Sequence, residues 1–96
     1  MNHAEIYRAF EGKWIYSGNE YFVAKRSALA FVRHLFQSNV RLLGIDGFIL
    51  GADLKQPIME AIADYSSGPV SESEVLEFLE AGMPSVTHFN FVLEAQ

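Results

Sequence analysis

The alternation of apolar and polar positions divides the chain into short elements. Ile6, Tyr7 and Phe10 recur with helical spacing and predict a first helix over His3–Glu11. Asn2 is placed to cap it and Gly12 to stop it. Lys13–Tyr16 reads as a short strand with Trp14 and Tyr16 on one face and Ile15 on the other. Ser17-Gly18-Asn19 follows as a turn, and Tyr21–Val23 as a second extended stretch. The clearest pattern is Ala28, Leu29, Val32, Leu35 and Phe36, one buried face of a helix over Lys25–Gln37 that ends at Ser38-Asn39.

Val40–Leu50 is so continuously apolar that it predicts a central strand covered on both faces. Gly44, Asp46 and Gly47 interrupt it, as at a bulge or a close backbone approach. Gly51–Gln56 reads as a connection. Pro57–Tyr65 fits two patterns. Pro57 at the first helical position, followed by Ile58, Met59, Ile62 and Ala63, suits a helix; the short connection from the preceding strand suits a hairpin. Ser66-Ser67-Gly68-Pro69 is a loop. Ser71 and Glu74 form a capping box for a helix carrying Val75, Phe78 and Leu79, closed by Gly82 and Pro84. Val86–Leu93 predicts a last strand, with Thr87, Phe89, Phe91 and Leu93 on one face and Val86, His88, Asn90 and Val92 on the other. The expected fold is α+β: a small, mostly antiparallel sheet packed by two or three helices on one face, in a single domain over residues 1–96.

Composition removes several function classes. There is no cysteine, so disulfides, thiolate metal sites and thiol nucleophiles are excluded. The net charge is −5 and the seven basic residues form no stripe, which disfavours nucleic acid as a partner. The longest stretch free of charge, Ala81–Leu93, is thirteen residues, well short of the ~20 that a spanning helix requires. With no apolar leader after a basic segment, the expectation is a cytoplasmic protein that binds no membrane.

Candidate chemistry is sparse. The phosphate-cradling glycine loop, the GxSxG elbow and the HExxH zinc helix are all absent. His3, His34 and His88 include no pair at i, i+4 on one helix. A site assembled from His88, Asp46 and Asp64 is one reading, and three unrelated histidines the plainer one; the expectation is no metal, no cofactor and no catalytic residue. Asp46 between Gly44 and Gly47 reads either as a ligand loop or as a structural bulge. Glu72, Glu74, Glu77 and Glu80 cover about half of the capping-box helix, either as a solvated face or as an acidic surface for a basic partner. Trp14 suits the core, and Tyr65, beside Asp64 and a polar loop, suits an exposed partner contact.

Gly18-Asn19-Glu20-Tyr21, the Ala28-Leu29 helix, Leu42-Leu43-Gly44-Ile45-Asp46-Gly47-Phe48 and Asp64-Tyr65 together resemble a family of small immunity proteins from bacterial polymorphic toxin systems. That family has an Ala-Leu helix, a strand with a Gly-Gly-Asp-aromatic pattern and an outgoing Tyr-Asp-Asn-Trp-Tyr strand. The resemblance spans Gly18–Tyr65. Here Ile45 replaces one glycine, Gly47 intrudes before Phe48, and Ala63-Asp64-Tyr65-Ser66 has no tryptophan. Those departures fall on the positions tied to the family's partner surface. The resemblance implies that Pro57–Tyr65 is a strand paired with Val40–Leu50, and that the protein is a non-enzymatic inhibitor of a toxin domain. The expected partner-binding residues are Asp46, Asp64, Tyr65, Glu72, Glu77 and Glu80. Two alternatives stand beside this reading. One is a small-ligand or enzymatic domain with its site near Asp46 and Asp64. The other is a structural subunit that dimerises through an apolar edge strand, Val86–Leu93.

Overall fold

The computed structural model describes residues 3–81 and 84–95; Asn2 and Gly82, the expected cap and helix stop, lie outside the described residues. Three helices, α1 (His3–Arg8), α2 (Ala28–Gln37) and α3 (Glu72–Glu80), accompany five strands: β1 (Trp14–Ser17), β2 (Glu20–Ala24), β3 (Leu42–Leu50), β4 (Lys55–Asp64) and β5 (His88–Leu93). The strands form one sheet in the order β1-β2-β5-β3-β4, with every neighbouring pair antiparallel. This is the expected α+β fold.

Local chemistry explains the boundaries. The first helix stops at Arg8 rather than Glu11, because Phe10 and Glu11 bond back three residues, to Tyr7 and Arg8, and tighten the turn. The Trp14 indole also donates to the Tyr7 carbonyl, at 2.7 Å, a second bond to an acceptor at that helix end. Gly18 and Asn19 both have positive φ, as a two-residue turn between twisted strands requires. A single 3-10 turn, Lys25–Ser27, leads into α2. That helix closes in a Schellman motif: Asn39 is left-handed, Val40 N–H reaches the Leu35 carbonyl, and Asn39 N–H reaches that of Phe36. Ser71 Oγ accepts the Glu74 N–H at 3.2 Å and starts α3 where the sequence places it.

All three helices pack on one face of the sheet. Ile6, Tyr7, Phe31, Val32, Leu35, Val75 and Leu79 meet Val23, Ile45, Ala61, Phe89 and Phe91 in one core. Tyr7 stacks on Tyr21 at 3.8 Å and on Phe31 at 5.0 Å, which ties α1 and α2 to the β2 end.

Of the two patterns that Pro57–Tyr65 fits, the strand paired with β3 is the one formed; it spans Lys55–Asp64 and so begins two residues earlier, inside the expected connection. Two expectations are corrected. The apolar continuity of Val40–Leu50 does not reflect cover on both faces. A register shift between Leu42 and Gly44 turns both Leu42 and Ile45 into the core, while Asp46 and Phe48 on the opposite face are partly exposed. Val86–Leu93 is no edge. β5 lies at the centre of the sheet between β2 and β3, so it offers no free strand to a second copy.

A second irregularity sits in β4. Asp46 pairs with Ile62 but Phe48 pairs with Pro57, so four residues of β4, Ile58–Ala61, stand against Gly47 alone. The bulge presses Ala61 onto β3. A Cβ on Gly47 would lie 2.5 Å from the Ala61 Cβ, so only glycine fits there.

Candidate functional site

On the helix-free face, register fixes which side chains are neighbours. One row across the sheet is Val92, Gly44 and Asp64; the next is Asn90, Asp46 and Ile62. Asp46 and Asp64 are therefore diagonal neighbours on one surface. Gly44 contributes no side chain, so the first row has a gap between Val92 and Asp64. The result is a shallow depression walled by Val92, Ile62, Asp46, Asp64 and Ser66. Ile62 and Val92 are 40% and 42% exposed, an apolar pair left in water beside two carboxylates.

The two acids are held differently. Asp64 is fixed by its own loop: Oδ1 accepts the Ser66 N–H at 2.9 Å and the Ser66 hydroxyl. Those bonds, the hydroxyl's first, hold its pKa below the ordinary carboxylate value. Asp46 is raised instead, by partial burial first and by the charge of Glu20 second. Glu20 is in turn 3.9 Å from the Lys55 ammonium. Asn90 is buried and donates to the Tyr21 carbonyl at 3.1 Å, bridging β2 and β5 where their ladder, registered only at Val23–Phe89 and Ala24–His88, runs out.

The sheet curls at the other end of this face. Phe22 points away from the helices yet is fully buried, with the edge of Phe48 at 5.1 Å and the Lys55 ammonium over its ring at 4.7 Å. His88 stands at that end, its Nδ1 within 2.8 Å of Thr87 Oγ1. Burial and then Arg26 lower its pKa. It does not line the depression beside Asp46 and Asp64. Among the described residues no three His, Asp or Glu side chains gather as a metal site would require.

The remaining expected partner residues lie elsewhere. Tyr65 is half-buried against the core on the helix side, not exposed. Burial, and then Glu74, raise its phenol pKa. Glu77 and Glu80 are exposed on α3 and Glu72 is half-exposed, all on the side of the sheet away from Asp46 and Asp64. The six expected residues thus split into two sets with the sheet between them. The residues that sequence reasoning missed are Gly44 as a gap, and Ile62 and Val92 as its walls. The alternation in β5 already grouped Asn90 with Val92; the register against β3 was the absent link.

Compared with protein-family models, curated proteins and solved structures, this chain matches none. Among the described residues no helix is long and apolar enough to cross a membrane.

Proposed function

We propose that this protein binds another protein through its helix-free sheet face and acts in the cytoplasm as an immunity-type inhibitor, occupying the working surface of a toxin domain. The observation that carries the reading is the depression over Gly44, where Asp46 and Asp64 flank exposed Ile62 and Val92. An apolar floor rimmed by carboxylates suits a basic side chain presented with apolar neighbours. Its aliphatic stem covers Ile62 and Val92 while its charge meets the two acids. Asp46 gains most, because a cation relieves the charge that burial and Glu20 make costly. A net charge of −5 steers a basic partner toward the molecule and speeds encounter. Inhibition of this kind needs no catalytic group of its own. Of the two sets of expected residues, Asp46 and Asp64 form the centre, and the α3 glutamates contribute to long-range steering only.

The test is capture of the partner from native cells on immobilised protein, followed by inhibition assays with the captured domain. Asp46→Lys should abolish inhibition while the protein remains folded. Retention of full inhibition by folded Asp46→Lys, or a metabolite rather than a protein as the bound species, contradicts the proposal.

A further inference from the structure

The two edges of the sheet are built differently. β4 carries Lys55, Pro57, Glu60 and Asp64 together with its bulge, features that keep an edge from pairing with another chain. β1, Trp14-Ile15-Tyr16-Ser17, has no charge, no proline and no bulge. Its pairing with β2 also fixes which backbone groups are free. Ala24 N–H bonds the Lys13 carbonyl and Trp14 is opposite Val23. In an antiparallel ladder alternate residues bond inward, so Lys13, Ile15 and Ser17 face β2, and Trp14 and Tyr16 turn their N–H and C=O groups outward.

This edge adjoins a cleft lined by apolar and polar groups alike, Asp53 and Lys55 among them. Ile15, Tyr16 and Ser17 line one wall, and the β3–β4 connection, Leu50 to Lys55, lines the other. Ile15, Tyr16 and Leu54 are 48%, 53% and 47% exposed, three of the six large apolar side chains so exposed among the described residues.

We infer that β1 is a self-pairing edge: two copies of this chain join β1 to β1, antiparallel about a two-fold axis through Ile15, into one continuous sheet. Only that centre places the outward groups of Trp14 opposite those of Tyr16 on both sides of the axis. It sets Ile15 against the second copy's Ile15 and Lys13 against Ser17, so no like charges meet across the pair. The second Ile15 lies on the helix-free side, next to the first, as directly opposed residues of an antiparallel pair do. A neutral strand that pairs with itself without conflict fits a second copy, whereas the acidic depression over Gly44 fits a basic protein. The two surfaces use different residues. Each copy carries −5, so salt should tighten the pairing by screening repulsion, the reverse of its effect on a basic partner.

The test is sedimentation equilibrium of the full chain at low and high salt, with Ile15→Lys, Ile15→Glu and their equimolar mixture. The wild type should dimerise, more tightly at high salt. Each variant should keep its melting temperature, since Ile15 is outside the core, and weaken dimerisation about tenfold or more, because identical charges then oppose each other. The mixture should recover the dimer, because the introduced ammonium of one copy then faces the introduced carboxylate of the other. A wild type that stays monomeric to millimolar concentration overturns the inference. Variants that dimerise as well as wild type, or monomeric variants whose mixture does not recover, overturn it too.

Discussion

Gly47→Ala places one methyl group at the tightest point between β3 and β4. The new Cβ would lie 2.5 Å from the Ala61 Cβ, 3.1 Å from Val86 Cγ2 and 3.2 Å from the Ala61 carbonyl oxygen. Carbon atoms in contact prefer ~3.5–4.0 Å, so the strands must part by about 1 Å or more. Neither the Ala61 methyl nor its carbonyl can rotate away. Overpacking of this kind costs ~1–3 kcal/mol. The lost freedom of the unfolded chain returns ~0.4–1 kcal/mol, since φ at Gly47 is not positive and alanine suffers no backbone strain there. The net expectation is a loss of about 1–2 kcal/mol, a fall in Tm of ~5–15 °C for a domain of this size. Urea unfolding followed by circular dichroism measures it, with the slope m unchanged if only the native state is affected. Adding Ala61→Gly removes the opposing methyl. The double variant should be more stable than the two single losses predict by ~0.5 kcal/mol or more. A midpoint for Gly47→Ala equal to or above that of wild type, or strictly additive losses, would refute the assigned bulge.

Other outcomes follow from local geometry. Ser71→Ala should cost ~1 kcal/mol in denaturant unfolding, because the Glu74 N–H loses its acceptor; an unchanged midpoint would show another start for α3. Asn39→Gly should raise stability by a few tenths of a kcal/mol, since φ is +56° there and glycine bears no Cβ penalty; a loss would mean that the Asn39 side chain holds the cap. An NMR titration of the carboxyl carbons should place Asp64 below and Asp46 above the ordinary aspartate value, and the reverse order would sink the electrostatic account. By linkage, Asp46 makes stability fall as pH rises through its titration, and Asp64 makes it fall as pH drops through its own. Asp46→Asn should remove the first slope and gain at most a few tenths of a kcal/mol near neutrality, because the carboxylate is largely in water. Binding of a basic partner should tighten as pH rises through the Asp46 titration, since the cation favours the ionised form; affinity that weakens over that range contradicts a cationic contact.

The helices were legible because their signals are local. The Ala28–Phe36 stripe and the Ser71–Glu74 cap need only neighbouring residues, and both stand where the pattern placed them. The strands depend on partners far along the chain. Pro57–Tyr65 reads as helix by propensity because its bulge breaks the two-residue period, so Ile58 and Ala61 both pack inward. The run at Val40–Leu50 looks doubly covered because the shift at Leu42 adds an inward residue. The site shared this limit. Asp46 and Asp64 were singled out from local chemistry, but their adjacency, and the place of Ile62 and Val92 beside them, rest on the register of three strands. Tyr65 and the α3 glutamates were joined to them by character, and the sheet separates them.

The central claim, that the partner sits on the helix-free face, is tested most directly by the amide chemical-shift map of isotope-labelled protein on titration with the captured partner. The account predicts changes concentrated at Gly44, Asp46, Ile62, Asp64, Ser66 and Val92, with little at Glu74, Glu77 and Glu80. Changes concentrated on α3 and Tyr65, with Gly44 and Val92 unmoved, would contradict it.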